Sequence, residues 1–218
     1  MTDNINYEHI VEYLSSTLKD GEGILGELEK YAYNHCTPII QKEVRSLLAT
    51  ILSYKKPKKI LEVGTAIGYS SIFFASNIDE DGHVYTLEKD HDYIKRAKEN
   101  IEKSGLSHKI TIVEGEAEDT IKNIDDEFDI VFLDANKSKY RYYFDVIFPR
   151  VKKGGMIICD NILYKGMVSN DELIPGRKHN AIVLALREFL PFLVNHPKLE
   201  TCIIPIGDGV TLSVKKEI

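Results

Sequence analysis

The segment KKILEVG, residues 58–64, is a short apolar run that ends at a glycine, and TAIGYS, residues 65–70, leads from it into a helical segment. A run of this length and composition is typical of a buried strand. Four similar runs follow, with helical segments between them: HVYTLE, KITIVEG, FDIVFLD and GMIICD. This alternation predicts right-handed βαβ crossovers and a parallel sheet, which define an α/β fold.

The two ends of the chain depart from this alternation. Residues 1–53 predict a helical extension, because apolar residues recur there at helical spacing, beginning with Ile10, Val11 and Leu14. Such stripes are typical of core or dimer contacts, and we expect Pro38 to open the third helix. At the other end, TCIIPIG and GVTLSVKK are joined by Asp208-Gly209 and predict an antiparallel hairpin.

We therefore expect a single domain over residues 1–218. It comprises the helical extension at 1–53 and an α/β core at 58–218, whose five parallel strands and C-terminal hairpin make a seven-stranded sheet.

Composition excludes several classes of protein. Apolar residues make up 43% of the 218 residues, which is ordinary globular usage, and the net charge of −6 argues against a uniformly basic nucleic-acid binder but not against a local basic patch. No apolar run is long enough to span a membrane, and the N-terminus does not resemble a secretion signal. The three cysteines, Cys36, Cys159 and Cys202, are widely spread, so we expect reduced thiols in a cytoplasmic protein.

The loop after the first strand predicts a nucleoside site. Gly64 permits a sharp turn and Gly68 permits close packing of the following helix. Glu62, which precedes the loop, and Glu88, which ends the next strand, are candidate cofactor contacts. An acid in that place can accept both hydroxyls of a ribose. The fingerprints of dinucleotide and triphosphate sites are absent, so S-adenosylmethionine suits the loop better, with Gly115-Glu116-Ala117 beside its adenine. A plain strand-to-helix turn is the alternative for the glycine loop taken alone.

Oxygen donors follow the fourth and fifth strands. Asp134 ends FDIVFLD, and Asp160 and Asn161 end GMIICDN. Carboxyl ends of parallel strands meet at one edge of a sheet, and two carboxylates with an amide suit Mg²⁺ or a similar divalent cation. Capping of the following loops is the alternative. Lys137 lies three residues after Asp134 and can act as a base beside a cation, although a solvated surface lysine is the default.

Three motifs, EVGTAIGYS, DANKSKY and CDNILYKG, resemble those of the metal-dependent class I O-methyltransferases related to catechol and caffeoyl-CoA O-methyltransferases. The resemblance runs through nearly the whole chain and implies a Rossmann-like fold and a homodimer. It implies that Asp134, Asp160 and Asn161 hold the metal, that Asp134 also faces the cofactor, and that Lys137 is the base. It also implies a set of residues around S-adenosylmethionine: Ile40, Gly64, Ser70, Glu88, Glu116 and Ala117.

More narrowly, TAIGYS, DNILYKG and NHPKLETCIIPIGDG resemble a bacterial branch that methylates 5-hydroxyuridine at the tRNA wobble position. Asn136 stands where several plant relatives carry an acid, which weakens any transfer of their phenol or coenzyme A thioester substrates. A small-molecule catechol or phenol methyltransferase is the alternative within enzymes, and a non-catalytic S-adenosylmethionine-binding module is the alternative of another class.

An acidic protein needs local cations and aromatic rings to hold tRNA. The sequence offers two basic groups and four tyrosines for these contacts, with a solvated surface or core packing as the alternatives: Lys55, Lys56, Lys58 and Lys59; Lys165, Arg177 and Lys178; Tyr140, Tyr142, Tyr143 and Tyr164.

Overall fold

The computed structural model describes residues 5–217, in which helices and strands alternate after an initial helical segment. The helices are α1 (Glu8–Thr17), α2 (Ile24–His35), α3 (Lys42–Lys55), α4 (Tyr69–Ser76), α5 (His91–Ser104), α6 (Ala117–Thr120), α7 (Tyr140–Ile147) and α8 (Arg177–Val194). The strands are β1 (Lys59–Val63), β2 (His83–Glu88), β3 (Ile110–Glu114), β4 (Phe128–Leu133), β5 (Val151–Asp160), β6 (Leu199–Ile204) and β7 (Val210–Lys215).

Within the described residues the strands form one seven-stranded sheet in the order β3-β2-β1-β4-β5-β7-β6. The pairs β1–β2, β2–β3 and β4–β5 are parallel, whereas β5–β7 and β6–β7 are antiparallel. The sequence prediction of an α/β fold with a mostly parallel sheet and an antiparallel C-terminal hairpin is confirmed.

Contacts along the chain divide it into two compact units, Leu14–Asp125 and Asp126–Ile218 with Met1–Tyr13. The single-domain organisation expected from the sequence stays a prediction.

In the unit Leu14–Asp125, the parallel register pairs Val63 with Leu87 and Leu87 with Val113, so β1, β2 and β3 end close to one another. The loop after β1, residues 64–68, is called the β1 loop. Helix α4, which follows it, is buried from its first residue to Ala75. It therefore has no polar face, and burial of its apolar residues against the neighbouring elements stabilises it. The β1 loop is thus held between a buried strand and a buried helix.

One expectation for the helical extension is wrong, and a second is confined to one of its two readings. Pro38 does not open the third helix, because α3 begins at Lys42, where the Gln41 carbonyl accepts the Arg45 amide at 2.8 Å. The stripe on α1 is not part of the core, since no residue of this helix is buried and Ile10 is 43% exposed. The alternative for that stripe, a dimer contact, stays a prediction.

In the unit that contains Asp126–Ile218, β5 begins earlier than the sequence indicates. Its register against β4 shifts between Phe128 and Ile130, so the strand bulges around Gly154 and Gly155. A Cβ atom at Gly155 would lie 2.7 Å from the Lys152 carbonyl oxygen, which explains the glycine there. The bulge ends at Met156, after which β5 runs regularly to Asp160 at the candidate site.

The hairpin of β6 and β7 carries a longer turn than Asp208-Gly209 alone suggests, because it spans residues 205–209 and is closed by a hydrogen bond from the Gly209 amide to the Ile206 carbonyl at 2.9 Å. Among the helices of residues 5–217, none combines the length and apolar character needed to cross a membrane.

Candidate active site

The β1 loop is built from backbone hydrogen bonds to the end of β2. The amides of Gly64 and Thr65 both donate to the Leu87 carbonyl, at 3.0 and 3.3 Å, and Gly64 has φ 109°. Gly68, with φ 84°, closes the turn by donating to the Thr65 carbonyl at 2.8 Å. Both glycines occupy backbone conformations that side chains disfavour, so the G-x-x-x-G spacing has a physical cause.

Glu88 joins this loop to the segment after β2. Its Oε2 accepts the Ala66 amide at 2.9 Å, and its Oε1 accepts the amides of Lys89 and Asp90 at 2.9 and 3.0 Å. A carboxylate has about four lone-pair sites, so Glu88 retains acceptor capacity for a ligand hydroxyl. The half-buried side chain is thereby fixed at the carboxyl end of β2, where the sequence places a ribose acceptor.

Glu62 lies beneath the loop and is fully buried. Its Oε2 accepts the hydroxyl of Ser71 and, at 2.6 Å, that of Thr86, which also lies 2.6 Å from the Thr65 hydroxyl. This buried network joins β1, β2, the loop and α4, and Glu62 supports the loop from the interior. Its direct contact with a cofactor stays a prediction.

A cavity of about 470 Å³ lies at the carboxyl ends of β2 and β3. Its walls are Lys89, Asp90, His91, Glu114, Gly115 and Glu116. The Gly115 amide donates to the Glu88 carbonyl at 2.8 Å, so the cavity adjoins Glu88. Sequence reasoning identified the segment at 115–117 but missed Lys89, Asp90 and His91, although they directly follow the acid that ends β2.

The remaining expected cofactor residues lie in the same unit. Ile40 is buried in the segment before α3, and Ser70 is buried in the first turn of α4. Ala117 begins α6 immediately after Glu116, whose carboxylate pairs with Lys89 Nζ at 3.2 Å. Their cofactor contacts stay predictions.

The second group of predicted residues lies in the unit containing Asp126–Ile218. Asp134 follows β4, and its Oδ1 pairs with Lys137 Nζ at 2.8 Å; the Asp134 side chain is 25% exposed and that of Lys137 is 17% exposed. Lys137 stands in a one-turn 3-10 helix, Lys137–Lys139, which Asn136 caps through its side chain. The predicted base and the predicted metal ligand are therefore in direct contact.

Asp160 ends β5 and is almost fully buried. Burial, together with the negative charge of Asp134, raises the pKa of Asp160 to about 8. Lys137 acts in the opposite direction, as does the Asn161 amide, which donates to Asp160 Oδ1 at 2.6 Å. Asp160 is close enough to Asp134 and Lys137 to feel both charges, so the two predicted acids and the predicted base lie in one neighbourhood.

Asn161 adjoins Asp160 and has φ 55°, a conformation that asparagine tolerates better than most residues. The loop it begins is held by the β6–β7 turn: Ile162 and Leu163 donate to the carbonyls of Gly209 and Asp208, each at 3.0 Å, and Asp208 Oδ1 accepts the Lys165 amide at 2.5 Å. The negative charge of Asp208 also contributes to the raised pKa of Asp160. Sequence reasoning missed Asp208 because it treated that residue only as part of a turn.

These donors fit a divalent cation. Two neighbouring carboxylates and an amide are hard ligands, and a bound cation would offset the cost of burying negative charge at Asp160. In residues 5–217 no group of three or more His, Cys, Asp and Glu side chains is placed to hold a metal. The candidate metal ligands therefore have to include the side-chain amide of Asn161.

The tyrosines proposed for base stacking divide into two classes. Tyr140 and Tyr143 are buried and belong to the core, as the core-packing reading of these residues expects, and they are not available for stacking. Tyr142 and Tyr164 are partly exposed, and the Tyr164 hydroxyl lies 2.9 Å from His179 Nδ1. The second group of proposed basic residues is exposed: Lys165, Arg177 and Lys178.

The fold and these two groups of residues define an α/β protein with a glycine loop and a set of acids at the carboxyl ends of its parallel strands. The family model described as "O-methyltransferase" matches residues 15–216, so the chain belongs to the O-methyltransferase family.

Individual relatives agree with this assignment. The chain is 34% identical to a caffeoyl-CoA O-methyltransferase of Populus kitakamiensis over 172 residues, which cover 76% of this chain and 73% of the relative. It is similar to the structure of a candidate caffeoyl-CoA O-methyltransferase from Staphylococcus aureus, with a TM-score of 0.90, 31% identity and coverage of 95% of this chain and 100% of that one.

A third similar protein is the O-methyltransferase TomG of Streptomyces achromogenes, which is involved in tomaymycin synthesis and was solved in complex with S-adenosylmethionine. The TM-score is 0.83 at 26% identity, and the match covers 99% of this chain and 100% of that one.

Proposed function

We propose that this chain is an S-adenosylmethionine- and divalent-metal-dependent O-methyltransferase that converts 5-hydroxyuridine at the tRNA wobble position to 5-methoxyuridine. The observation that carries the metal-dependent part is the burial of Asp160 beside Asp134 and Asn161, with Lys137 bonded to Asp134. A buried carboxylate beside a second acid destabilises the fold unless a cation or proton compensates it, and strongly perturbed acids cluster at functional sites.

The β1 loop and Glu88 support S-adenosylmethionine as the methyl donor. Glu88 is fixed by three backbone amides and adjoins a cavity of about 470 Å³, a size that suits a nucleoside-containing ligand. The complex of TomG with S-adenosylmethionine is consistent with this assignment.

When bound, S-adenosylmethionine supplies an activated methyl group and the cation supplies Lewis acidity. Asp134, Asp160 and Asn161 would hold the cation, and the negative charge of Asp208 acts on Asp160. In the overall reaction the acceptor oxygen gains the methyl group, the carbon–sulfur bond breaks, and the acceptor hydroxyl loses its proton.

Lys137 Nζ would receive that proton, since it stands 2.8 Å from the candidate ligand Asp134. For this role it must first lose the proton that it donates to Asp134. Positioning of both reactants is worth roughly 7–11 kcal/mol in favourable cases, so the chain contributes mainly by holding its ligands in place.

The chemistry of the acceptor supports 5-hydroxyuridine. Its O5 hydroxyl and O4 carbonyl form an adjacent oxygen pair that can chelate a cation held by hard ligands. The exposed Lys165, Arg177 and Lys178 offer charges for the flanking phosphates, and Tyr142 and Tyr164 remain candidates for stacking.

The decisive test is methyl transfer to natural RNA. Purified enzyme, Mg²⁺ and S-adenosylmethionine are incubated with tRNA from a strain that lacks the gene, and nucleosides are measured by mass spectrometry. We expect 5-hydroxyuridine to decrease and 5-methoxyuridine to increase. Unchanged 5-hydroxyuridine would contradict the proposed acceptor.

A small-molecule catechol or phenol is the second candidate acceptor, and the identity to caffeoyl-CoA O-methyltransferases favours it. A catechol presents the same adjacent oxygen pair to the cation. A catechol panel assayed beside tRNA separates the two, because they predict opposite ratios of kcat/KM. Transfer to either acceptor excludes a non-catalytic binding module.

Metal dependence is tested separately. Asp134→Ala and Asp160→Ala should reduce turnover at least 100-fold while binding of S-adenosylhomocysteine partly survives, because the β1 loop remains intact. The control is Asp145→Ala, which removes an exposed carboxylate paired with Arg141 and should leave turnover near wild type. Full activity of Asp160→Ala in chelator-treated buffer would remove the cation from the mechanism.

A further inference from the structure

We infer that the Tyr140 hydroxyl is the positioning group of the cation site, because it holds together the ends of the two strands that carry the ligands. This inference rests on the proposed metal dependence and assigns a role to a residue outside the ligand set. Tyr140 contacts neither cation nor acceptor in this proposal and acts through backbone geometry.

The hydroxyl lies between two backbone carbonyls. It donates to the Leu133 carbonyl at 2.9 Å and to the Asp160 carbonyl at 3.0 Å, so its single hydrogen is shared between them. The parallel pairing of β4 with β5 ends at Leu133 and Cys159. The Tyr140 hydroxyl therefore joins the two strands just beyond their last paired residues.

These two carbonyls belong to the peptides that immediately precede candidate ligands. The Leu133 carbonyl precedes Asp134, and the Asp160 carbonyl precedes Asn161. A peptide plane includes the Cα atom of the next residue, so fixing the plane restrains the point from which that side chain leaves the backbone. One hydroxyl thus restrains the backbone at candidate donors from both strands.

Tyr140 also limits the position of the candidate base. Its amide donates to the Lys137 carbonyl at the end of the one-turn helix that contains Lys137. The ring is fully buried and packs edge-on against Phe189, with centroids 5.9 Å apart. Tyr140 therefore links the core to the ends of β4 and β5 and to the turn that contains Lys137.

Packing alone does not explain a tyrosine here. A phenylalanine ring would fill nearly the same space in a fully buried position, whereas the hydroxyl must be desolvated and needs partners. Both of its hydrogen bonds are made to the ends of β4 and β5. This use of a buried donor resembles the outer groups that orient ligands in metal sites, whose loss typically weakens metal binding about 10–100-fold.

The test measures cation affinity without turnover. Tyr140→Phe is compared with wild type by Mn²⁺ titration, followed by electron paramagnetic resonance of free Mn²⁺. We expect its Kd for Mn²⁺ to rise at least tenfold, while its affinity for S-adenosylhomocysteine stays within twofold. Tyr54→Phe removes the hydroxyl of a tyrosine that is 91% exposed and should leave the Mn²⁺ Kd unchanged.

A second variant guards against misfolding of Tyr140→Phe. Site-specific 4-fluorophenylalanine at position 140 keeps the ring and nearly the volume of the hydroxyl but cannot donate, and its fluorine resonance reports the state of the site. This variant should also lose at least tenfold in Mn²⁺ affinity. Wild-type affinity in either folded variant overturns the inference, even if tRNA is methylated. Absence of Mn²⁺ binding by the wild type overturns it together with the proposed metal dependence, whereas failure of the tRNA assay alone does not.

Discussion

The hydroxyl of Tyr69 donates to Oε1 of Glu29 at 2.5 Å and so joins the first residue of α4 to α2. Oε2 of Glu29 accepts the Gly21 amide at 2.9 Å, and Arg45 lies 3.5 Å from Oε1. Burial raises the pKa of Tyr69, and the hydrogen bond to Glu29 adds to this effect. Hydrogen bonding therefore connects the residue that follows the β1 loop to the helical extension.

Tyr69→Phe should lower the free energy of unfolding by about 1–3 kcal/mol, because the charged acceptor loses a buried donor. Urea denaturation followed by circular dichroism measures the change. Tyr33→Phe alters a tyrosine that is 87% exposed and should change stability by less than about 0.5 kcal/mol. Equal stabilities of the two variants would show that the bond to Glu29 contributes nothing.

The elements of the sheet could be predicted because apolar periodicity reports them directly. The runs ending at Gly64 and Asp160 form strands, as expected, and the turn containing Asp208 closes a hairpin. The same reasoning failed at Pro38, because a proline permits a helix to start but does not require it. The third helix starts after Gln41, which is its N-terminal cap residue.

The candidate site was predictable only in part. Residues at strand ends, such as Glu88 and Asp160, are found by position, because parallel strands bring their carboxyl ends together. Tyr140 could not be found in this way: its side chain contacts carbonyls at positions 133 and 160, and no spacing rule relates these three residues. Its aromatic character is compatible with both stacking and core packing, and tertiary packing places it in the core.

Glu88→Ala should weaken the binding of S-adenosylhomocysteine at least tenfold. The substitution removes the acceptor for three backbone amides and loosens the turn at Ala66, in addition to removing the proposed ribose contact. Isothermal titration calorimetry measures the affinity. Glu102→Ala, at an exposed position of α5, is the control and should bind as wild type. Unchanged affinity in Glu88→Ala would place the nucleoside elsewhere.

Gly209→Ala should destabilise the loop that begins at Asn161. Gly209 has φ 83°, and a Cβ atom there would lie 2.5 Å from Leu163 Cγ. The left-handed backbone and the overlap together should cost about 2–4 kcal/mol.

Urea denaturation measures the free energy of unfolding of this variant, and a Mn²⁺ titration measures its affinity for the cation. We expect both the free energy of unfolding and the affinity to fall. Gly176→Ala is the matched control, since a Cβ atom there meets no atom within 4 Å. A Gly209→Ala protein as stable as Gly176→Ala would mean that the hairpin turn does not restrain the loop.

His196 should make stability depend on pH. Burial lowers the pKa of His196, and the positive charges of Lys198 and Arg141 lower it further, while Asp145 opposes them. The ring packs edge-on against Phe144, with centroids 5.4 Å apart. The folded state therefore favours the neutral imidazole.

In the unfolded chain the pKa of histidine is about 6.5, so at lower pH the unfolded state binds more protons than the folded state. Stability is consequently full above about pH 6.5 and falls as the pH drops from there toward the lowered folded pKa. Urea denaturation at pH 7.5 and pH 5 should show this loss in wild type and a smaller loss in His196→Gln. His9→Gln, at an exposed position, should keep the wild-type loss. If His196→Gln and wild type lose the same free energy of unfolding between these pH values, proton binding at His196 is not the cause.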